Sequence, residues 1–159
     1  MNYIWRDYHP KTMQYIESWL DKSAVESTGL DEGFRIFYEY WANEDGFAVG
    51  ENFWCKVVFE NGAAFAVVAF CLQGEEILIQ EMIVHPEKRG QGKGSKLLKE
   101  LLENKELVGF VINKSKAVIY PGNTASKRAF ENAGFFQHHI HEDAGGVSIH
   151  YVYERNHTE

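Results

Sequence analysis

Residues 84 to 96 read VHPEKRGQGKGSK, and three alternate glycines in this run, Gly90, Gly92 and Gly94, stand directly before an amphipathic helix. A strand, a glycine loop and a helix N-terminus in that order make an anion site. Glycine lets backbone N–H groups turn inward and approach a phosphate, and the helix dipole adds about half a positive charge there. Between residues 87 and 100, Lys88, Arg89, Lys93, Lys96 and Lys99 outnumber Glu87 and Glu100, giving a net +3 on a chain whose formal charge is −7. The implied ligand is a phosphorylated cofactor. Two common phosphate loops are excluded by spacing: GxxxxGK(S/T) and GxGxxG both need a glycine five residues beyond Gly90, where Ser95 stands. Without a further match, the same residues also serve as a helix-entry turn with a solvated basic face.

The elements around the loop follow from periodicity. Glu76 to Val84 is a strand that His85-Pro86 ends, because proline cannot extend a ladder. Ser95 to Glu103 is a helix that buries Leu97, Leu98, Leu101 and Leu102. Ala117 to Tyr120 forms a short strand, Pro121-Gly122 turns, and Asn123 caps a helix that buries Ala125, Ala129, Phe130 and Ala133 before Gly134 stops it. Upstream, residues 2 to 6 form a short strand. His9 and Pro10 then open a helix carrying Met13, Ile16, Trp19 and Leu20, and after Gly29 a second helix spans about Phe34 to Ala42. Phe53 to Phe59 and Ala63 to Cys71 make a hairpin around Asn61-Gly62, a dipeptide suited to a type I′ turn. With those two as the loop, Cys55 opposes Val68 and Cys71 opposes Asn52, which places the thiols on opposite faces. Phe135 to His141 and Val147 to Tyr153 close the chain as a strand pair.

Composition narrows the function further. A chain of 159 residues, 45% apolar and with no linker or repeat, predicts one α+β domain. Its net negative charge argues against nucleic acid. No apolar run reaches the length of a membrane span, no leader pattern opens the sequence, and neither cysteine has disulfide or zinc spacing, so the reading is a cytoplasmic protein with reduced thiols. His138, His139, His141 and His150 have no acidic or sulfur ligand spaced with them and read as a solvated hairpin, with no metal.

The order of these pieces carries a resemblance. R-G-Q-G-K-G (Arg89 to Gly94) fits the Arg/Gln-x-x-Gly-x-Gly/Ala signature of the GNAT superfamily of acyl-CoA-dependent N-acyltransferases, and the preceding IQEMIVHPEKRG resembles that family's fourth strand and loop. NTASKRAFENAGF (Asn123 to Phe135) resembles its second motif, while the first 50 residues match no named pattern. The resemblance implies a single N-acetyltransferase domain over residues 1–159, built on a mixed, mostly antiparallel twisted sheet splayed between strands 4 and 5 and flanked by helices. Acetyl-CoA would lie in the split as co-substrate. Backbone N–H groups of Arg89, Gly90, Gln91, Gly92, Lys93, Gly94 and Ser95 would hold the pyrophosphate. The edge of Met82, Ile83 and Val84 would pair with the pantetheine arm, and Asn123, Ser126 and Phe130 would line the other wall.

The chemistry needs a base, because an alkylammonium of pKa near 10.4 must lose a proton before attack, at a cost of roughly 4 kcal/mol at pH 7. Glu81 stands two residues before Ile83, where family members often carry an acid working through water; the plainer role is a structural carboxylate. Where the family commonly has a thiol-protonating Tyr, this chain has Phe130. A thiolate of pKa near 8.5 can leave unprotonated for about 2 kcal/mol, and Tyr120 is the candidate substitute, its plainer role being a packed strand end. All four Trp, five of eight Tyr and eleven acidic residues fall in the first 60 positions, which favours a cationic, even polycationic, small-molecule amine as acceptor through carboxylates and cation–π faces. Two other classes stay open: a non-catalytic acyl-CoA-binding or sensing module, and a partner-binding protein, including a homodimer, that uses the aromatic N-terminal helices.

Overall fold

The computed structural model describes residues 3–155. Seven strands are hydrogen-bonded in the order β1-β2-β3-β4-β5-β7-β6, where β1 is Ile4–Asp7, β2 Phe53–Glu60, β3 Ala63–Gln73, β4 Glu76–Val84, β5 Lys114–Ile119, β6 Phe136–Asp143 and β7 Gly146–Glu154. Pairing is antiparallel except for β4 with β5, so the architecture is the mixed α+β sheet with flanking helices that the motifs imply. The chain divides into two compact units, Met1–Cys71 with Glu81–Arg89, and Leu72–Gln80 with Gly90–Glu159; the division runs through β4. Among the described residues no helix is long and apolar enough to cross a membrane.

In the first unit the central hairpin turns as expected, with φ 52° at Asn61 and 80° at Gly62, both positive as a type I′ turn requires. Its register holds for Glu60↔Ala63 and Phe59↔Ala64 and then slips, because Val58 pairs with Ala66 and Phe65 becomes the extra residue of a bulge. The expected cysteine placement is therefore corrected. Cys55 opposes Ala69 and Cys71 opposes Phe53, so both free, buried thiols lie on the same sheet face. From Phe65 to Cys71 every residue of β3 is buried, as in a strand covered on both faces.

The expected helix from His9 is a second correction. Met13, Ile16 and Trp19 are buried, but their spacing is three residues throughout, the period of a 3₁₀ helix, and a 3₁₀ turn spans Gln14–Trp19. A separate helix α1, Lys22–Thr28, starts at Asp21, whose side chain accepts a hydrogen bond from the Ala24 amide, and ends at Gly29 in the left-handed conformation. Helix α2 covers Phe34–Ala42 as expected. The strand expected at residues 2 to 6 is β1; residue 2 lies outside the described residues.

The second unit holds helices α3 (Lys93–Glu103) and α4 (Thr124–Asn132). The four expected leucines of α3 are all buried, although the helix starts two residues earlier than Ser95. Asn123 caps α4 by accepting from the Ser126 amide at 3.1 Å, and Gly134 follows the helix at φ 101°. Phe130 and Ala133 are buried, Ala129 is half-buried and Ala125 is exposed, contrary to expectation. Arg155 fastens the end of β7 by donating to the carbonyls of Leu102 (2.7 Å) and Ile112 (3.1 Å). On the outer strand β6 the histidines are exposed, His139 stacking on His150 at 4.2 Å. Among the described residues no group of three or more His, Cys, Asp or Glu side chains is placed to hold a metal ion.

Candidate active site

In the second unit, β4 pairs with β5 only through Ile77↔Ser115, Leu78↔Lys116 and Ile79↔Ala117, and the Ser115 hydroxyl donates to the Ile77 carbonyl at 2.8 Å. The strand runs on for five more residues. The next residue, Gln80, buries both polar atoms of its carboxamide without a hydrogen-bond partner. A buried, unpaired polar group of this kind costs about 1–3 kcal/mol. Gln80 was not among the sequence candidates; its only signal was a polar residue directly after the apolar run Ile77-Leu78-Ile79.

The end of β4 belongs to the first unit. Glu81 is half-buried, and burial pushes its carboxyl up from the usual carboxylate range to about 8, opposed only by a hydrogen bond from the Met82 amide. At pH 7 the group is mostly protonated, and the ionised fraction that can accept a proton grows as pH rises through 8. Ile83 is buried, while Met82 and Val84 are half-buried. The turn that follows is held by hydrogen bonds: His85 donates its amide to the Phe65 carbonyl at 2.7 Å, and its Nδ1 accepts from the Glu87 amide at 3.0 Å. Arg89 then uses its guanidinium on the Val84 and Trp19 carbonyls and on Asp21.

The glycine loop enters the second unit at Gly90. Gly90 and Gly92 have φ of 74° and 75°, so the backbone requires glycine at both whether or not a ligand binds. Gly94 is different. It lies in the first turn of α3 in helical backbone, where alanine would be more stable by up to about 1 kcal/mol, so conformation does not account for it. A side chain absent for no conformational reason fits close approach of a ligand. The N-cap of α3 is Gly92, which has no side chain to cap with, and Ser95 turns its hydroxyl back to donate to the Gly92 carbonyl at 3.0 Å. By contrast, Asp21 caps α1, Asn123 caps α4, and Glu17 accepts from the Phe34 and Arg35 amides at the start of α2, at 2.8 and 3.0 Å. Gln91 is exposed, and Lys93 and Ser95 are half-buried.

The remaining candidates of the second unit are less uniform. Phe130 is 4% exposed and packs edge-on against Phe135 at 4.9 Å, a core contact. Asn123 spends its side-chain oxygen on the α4 cap. Tyr120, one residue past β5, is 55% exposed, so it is not the packed strand end of the plainer reading.

In the N-terminal segment, sequence reasoning could not separate structural acids from the rest. Besides the capping Glu17 and Asp21, Asp7 pairs with Lys56 at 2.6 Å and Glu39 approaches Arg35 at 3.8 Å. Tyr8 and Trp19 are core residues, and Trp54 stacks on Phe70 at 5.6 Å. The outward-facing groups are spread over several elements: Tyr15 in the 3₁₀ turn, Glu26 on α1, Asp31 and Glu32 before α2, and Tyr40 and Asp45 on α2 and the loop after it. Tyr40 is exposed and its hydroxyl is bonded to Glu44, which raises its pKa; Trp41 lies edge-on to Tyr40 and to Phe47 at 5.2 and 5.4 Å.

Structural likeness extends over nearly the whole chain. The aminoglycoside acetyltransferase AAC(6')-Ib in complex with paromomycin and acetyl-CoA superposes with a TM-score of 0.74 at 18% identity, covering 98% of this chain and 94% of that one. A spermidine N-acetyltransferase SpeG chimera from Vibrio cholerae and hSSAT gives 0.74 at 12% identity, covering 97% and 96%. The ribosomal-protein-S18-alanine N-acetyltransferase from Escherichia coli gives 0.65 at 15%, covering 99% and 97%. No curated protein sequence matches the chain. The model of the acetyltransferase (GNAT) family matches residues 9–135, and with the strand, glycine loop and helix in that family's order, the chain belongs to the GNAT acetyltransferase family.

Proposed function

We propose that the protein is a cytoplasmic, acetyl-CoA-dependent N-acetyltransferase, one catalytic domain that transfers acetyl to a cationic small-molecule amine in a ternary complex. The observation that carries this reading is the glycine loop that runs into α3, whose N-cap is Gly92 and whose first turn holds a glycine, Gly94, that its backbone does not need. Backbone N–H groups from Arg89 to Ser95 would take the pyrophosphate there. The edge of Met82, Ile83 and Val84 would take the pantetheine arm.

In the reaction the amine nitrogen attacks the thioester carbonyl, the C–S bond breaks, and an amide and a CoA thiolate form. Glu81 removes the ammonium proton, directly or through water. A carboxyl poised near 8 is a far better match to an amine of pKa near 10.4 than an ordinary carboxylate is, which lowers the proton-transfer penalty from about 8 to about 3 kcal/mol. Tyr120 is the candidate proton donor to the thiolate, since Phe130 has none. Its exposure lets it exchange protons with water. Tyr120→Phe should slow turnover about 30-fold if it serves, and leave the rate unchanged if water does.

The acceptor class rests on the outward aromatic and acidic groups of α2 and its loop, and on the aminoglycoside and spermidine named for two structural neighbours. The test is release of free thiol from acetyl-CoA with a panel of polycationic and neutral amines. Polycations should be preferred, with a KM that rises with salt. Equal use of both classes overturns the acceptor assignment. Acetyl-CoA binding without thiol release from any amine would favour the non-catalytic acyl-CoA-binding reading, which the substitution of Phe130 for a hydroxyl-bearing residue supports.

A further inference from the structure

The positive charge of Arg89, first residue of the glycine signature, invites assignment to a pyrophosphate. Its hydrogen bonds go elsewhere. Nε donates to the Val84 carbonyl at 3.0 Å, Nη2 donates to the Trp19 carbonyl at 3.0 Å, and Nη1 donates to both carboxylate oxygens of Asp21 at 3.1 and 2.9 Å. All of these groups belong to the first compact unit. Asp21 has a second task, because the same Oδ1 accepts from the Ala24 amide at 2.9 Å and so starts α1. Alongside, the Trp19 ring packs on His85 at 5.5 Å. The turn leaving β4 is thus fastened to the Trp19–Asp21 segment at two points, one ionic and one aromatic.

Moving the guanidinium to a phosphate would strip two carbonyls of their donor and leave Asp21 without its cation. Charge-assisted bonds of this kind are the strong ones, and a planar guanidinium that meets three acceptors at once cannot be replaced by a point charge. We infer that Arg89 is a positioning residue: it holds the last carbonyl of β4 and the entry to α1 in one arrangement, so that a single side chain sets both the thioester-binding edge and the acceptor-side helices. The pyrophosphate is left to the backbone of the loop. This inference rests on the acetyl-CoA reading above.

Acetyl-CoA and acetylpantetheine, which shares the arm and thioester but has no pyrophosphate, separate the two roles. Both are titrated into the full chain and into Arg89→Gln and Asp21→Asn, the latter retaining a side-chain oxygen to cap α1. A positioning role predicts that Arg89→Gln weakens the two ligands by the same factor, about tenfold, and that Asp21→Asn does so by a smaller equal factor, about threefold. Loss of acetyl-CoA affinity alone in Arg89→Gln would make the side chain a phosphate ligand and overturn the inference. So would a lowered melting temperature with both affinities unchanged, or an Asp21→Asn variant that binds acetyl-CoA more tightly because Arg89 is released. If the unaltered protein binds neither ligand, the acetyl-CoA reading itself fails, a different result from any of these. Should Arg89→Gln not fold, the equal or unequal response of Asp21→Asn decides.

Discussion

Polar groups are treated in opposite ways in two parts of the molecule. In the N-terminal segment they are committed: Glu17 caps α2, Asp21 caps α1 and holds Arg89, and Asp7 pairs with Lys56. Toward the end of β4 they are uncommitted: the Gln80 carboxamide is buried without partners, and burial drives the Glu81 carboxyl up to about 8. The first pattern spends charge on holding the fold. The second leaves polar costs unmet, which a protein sustains where a ligand or a reaction uses those groups. A charged residue therefore points to function less by its type than by whether the fold has already satisfied it.

The largest effect expected from breaking this contrast is at Glu81. Glu81→Gln should reduce turnover near neutral pH by about 100-fold or more while leaving acetyl-CoA affinity unchanged, and the deficit should shrink as pH approaches the pKa of the amine. A pH-independent deficit would mean damage to the strand instead. Stability supplies the sign. The folded carboxyl holds its proton to about 8, whereas the unfolded one releases it near 4.5, so this group's contribution is favourable below 4.5 and is lost as pH rises to 8. The Gln variant should thus be more stable than the parent at pH 8, by roughly 4 kcal/mol, and little different at pH 4. Urea unfolding at the two pH values measures this.

Next in size is Glu17→Ala, which removes both acceptors at the start of α2 and should cost about 2 kcal/mol in urea unfolding, with acetyl-CoA affinity retained. An undiminished stability with a raised KM for the amine would move Glu17 from the committed set to the acceptor site. The smallest effect is at Gln80. Gln80→Leu should stabilise the protein by about 1 kcal/mol, since it removes two unpaired buried atoms. A destabilised variant would show that the carboxamide is satisfied in solution.

The same contrast explains what could be read from sequence. β4 was legible to its end residues because His85-Pro86 stops any ladder, and α3 was legible because Leu97, Leu98, Leu101 and Leu102 fix one face of a 3.6-residue period. The glycine loop stood out for the same reason, since local backbone chemistry dictates it. The N-terminal segment resisted because its logic is tertiary. Glu17 caps a helix that begins 17 residues later, and Arg89 reaches back 68 residues to Asp21, distances no local pattern records. Some failures were local and avoidable: Asp21 before Lys22-Ser23-Ala24 is an ordinary helix-start signal, and the three-residue spacing of Met13, Ile16 and Trp19 is that of a 3₁₀ turn. The bulge at Phe65 had no sequence signal, and it reversed the expected placement of the cysteines.

If the loop and the first turn of α3 hold the phosphates of acetyl-CoA, the most direct measurement of it is an acetyl-CoA titration of the parent chain and of Gly94→Val. Valine is tolerated by helical backbone at Gly94, at a cost within about 1 kcal/mol, whereas at Gly92 the φ of 75° would strain it. Acetyl-CoA at 100 times its Kd should stabilise the parent by about 2.7 kcal/mol, and Gly94→Val should fold but bind at least tenfold more weakly. Unchanged affinity in a folded Gly94→Val variant would contradict it.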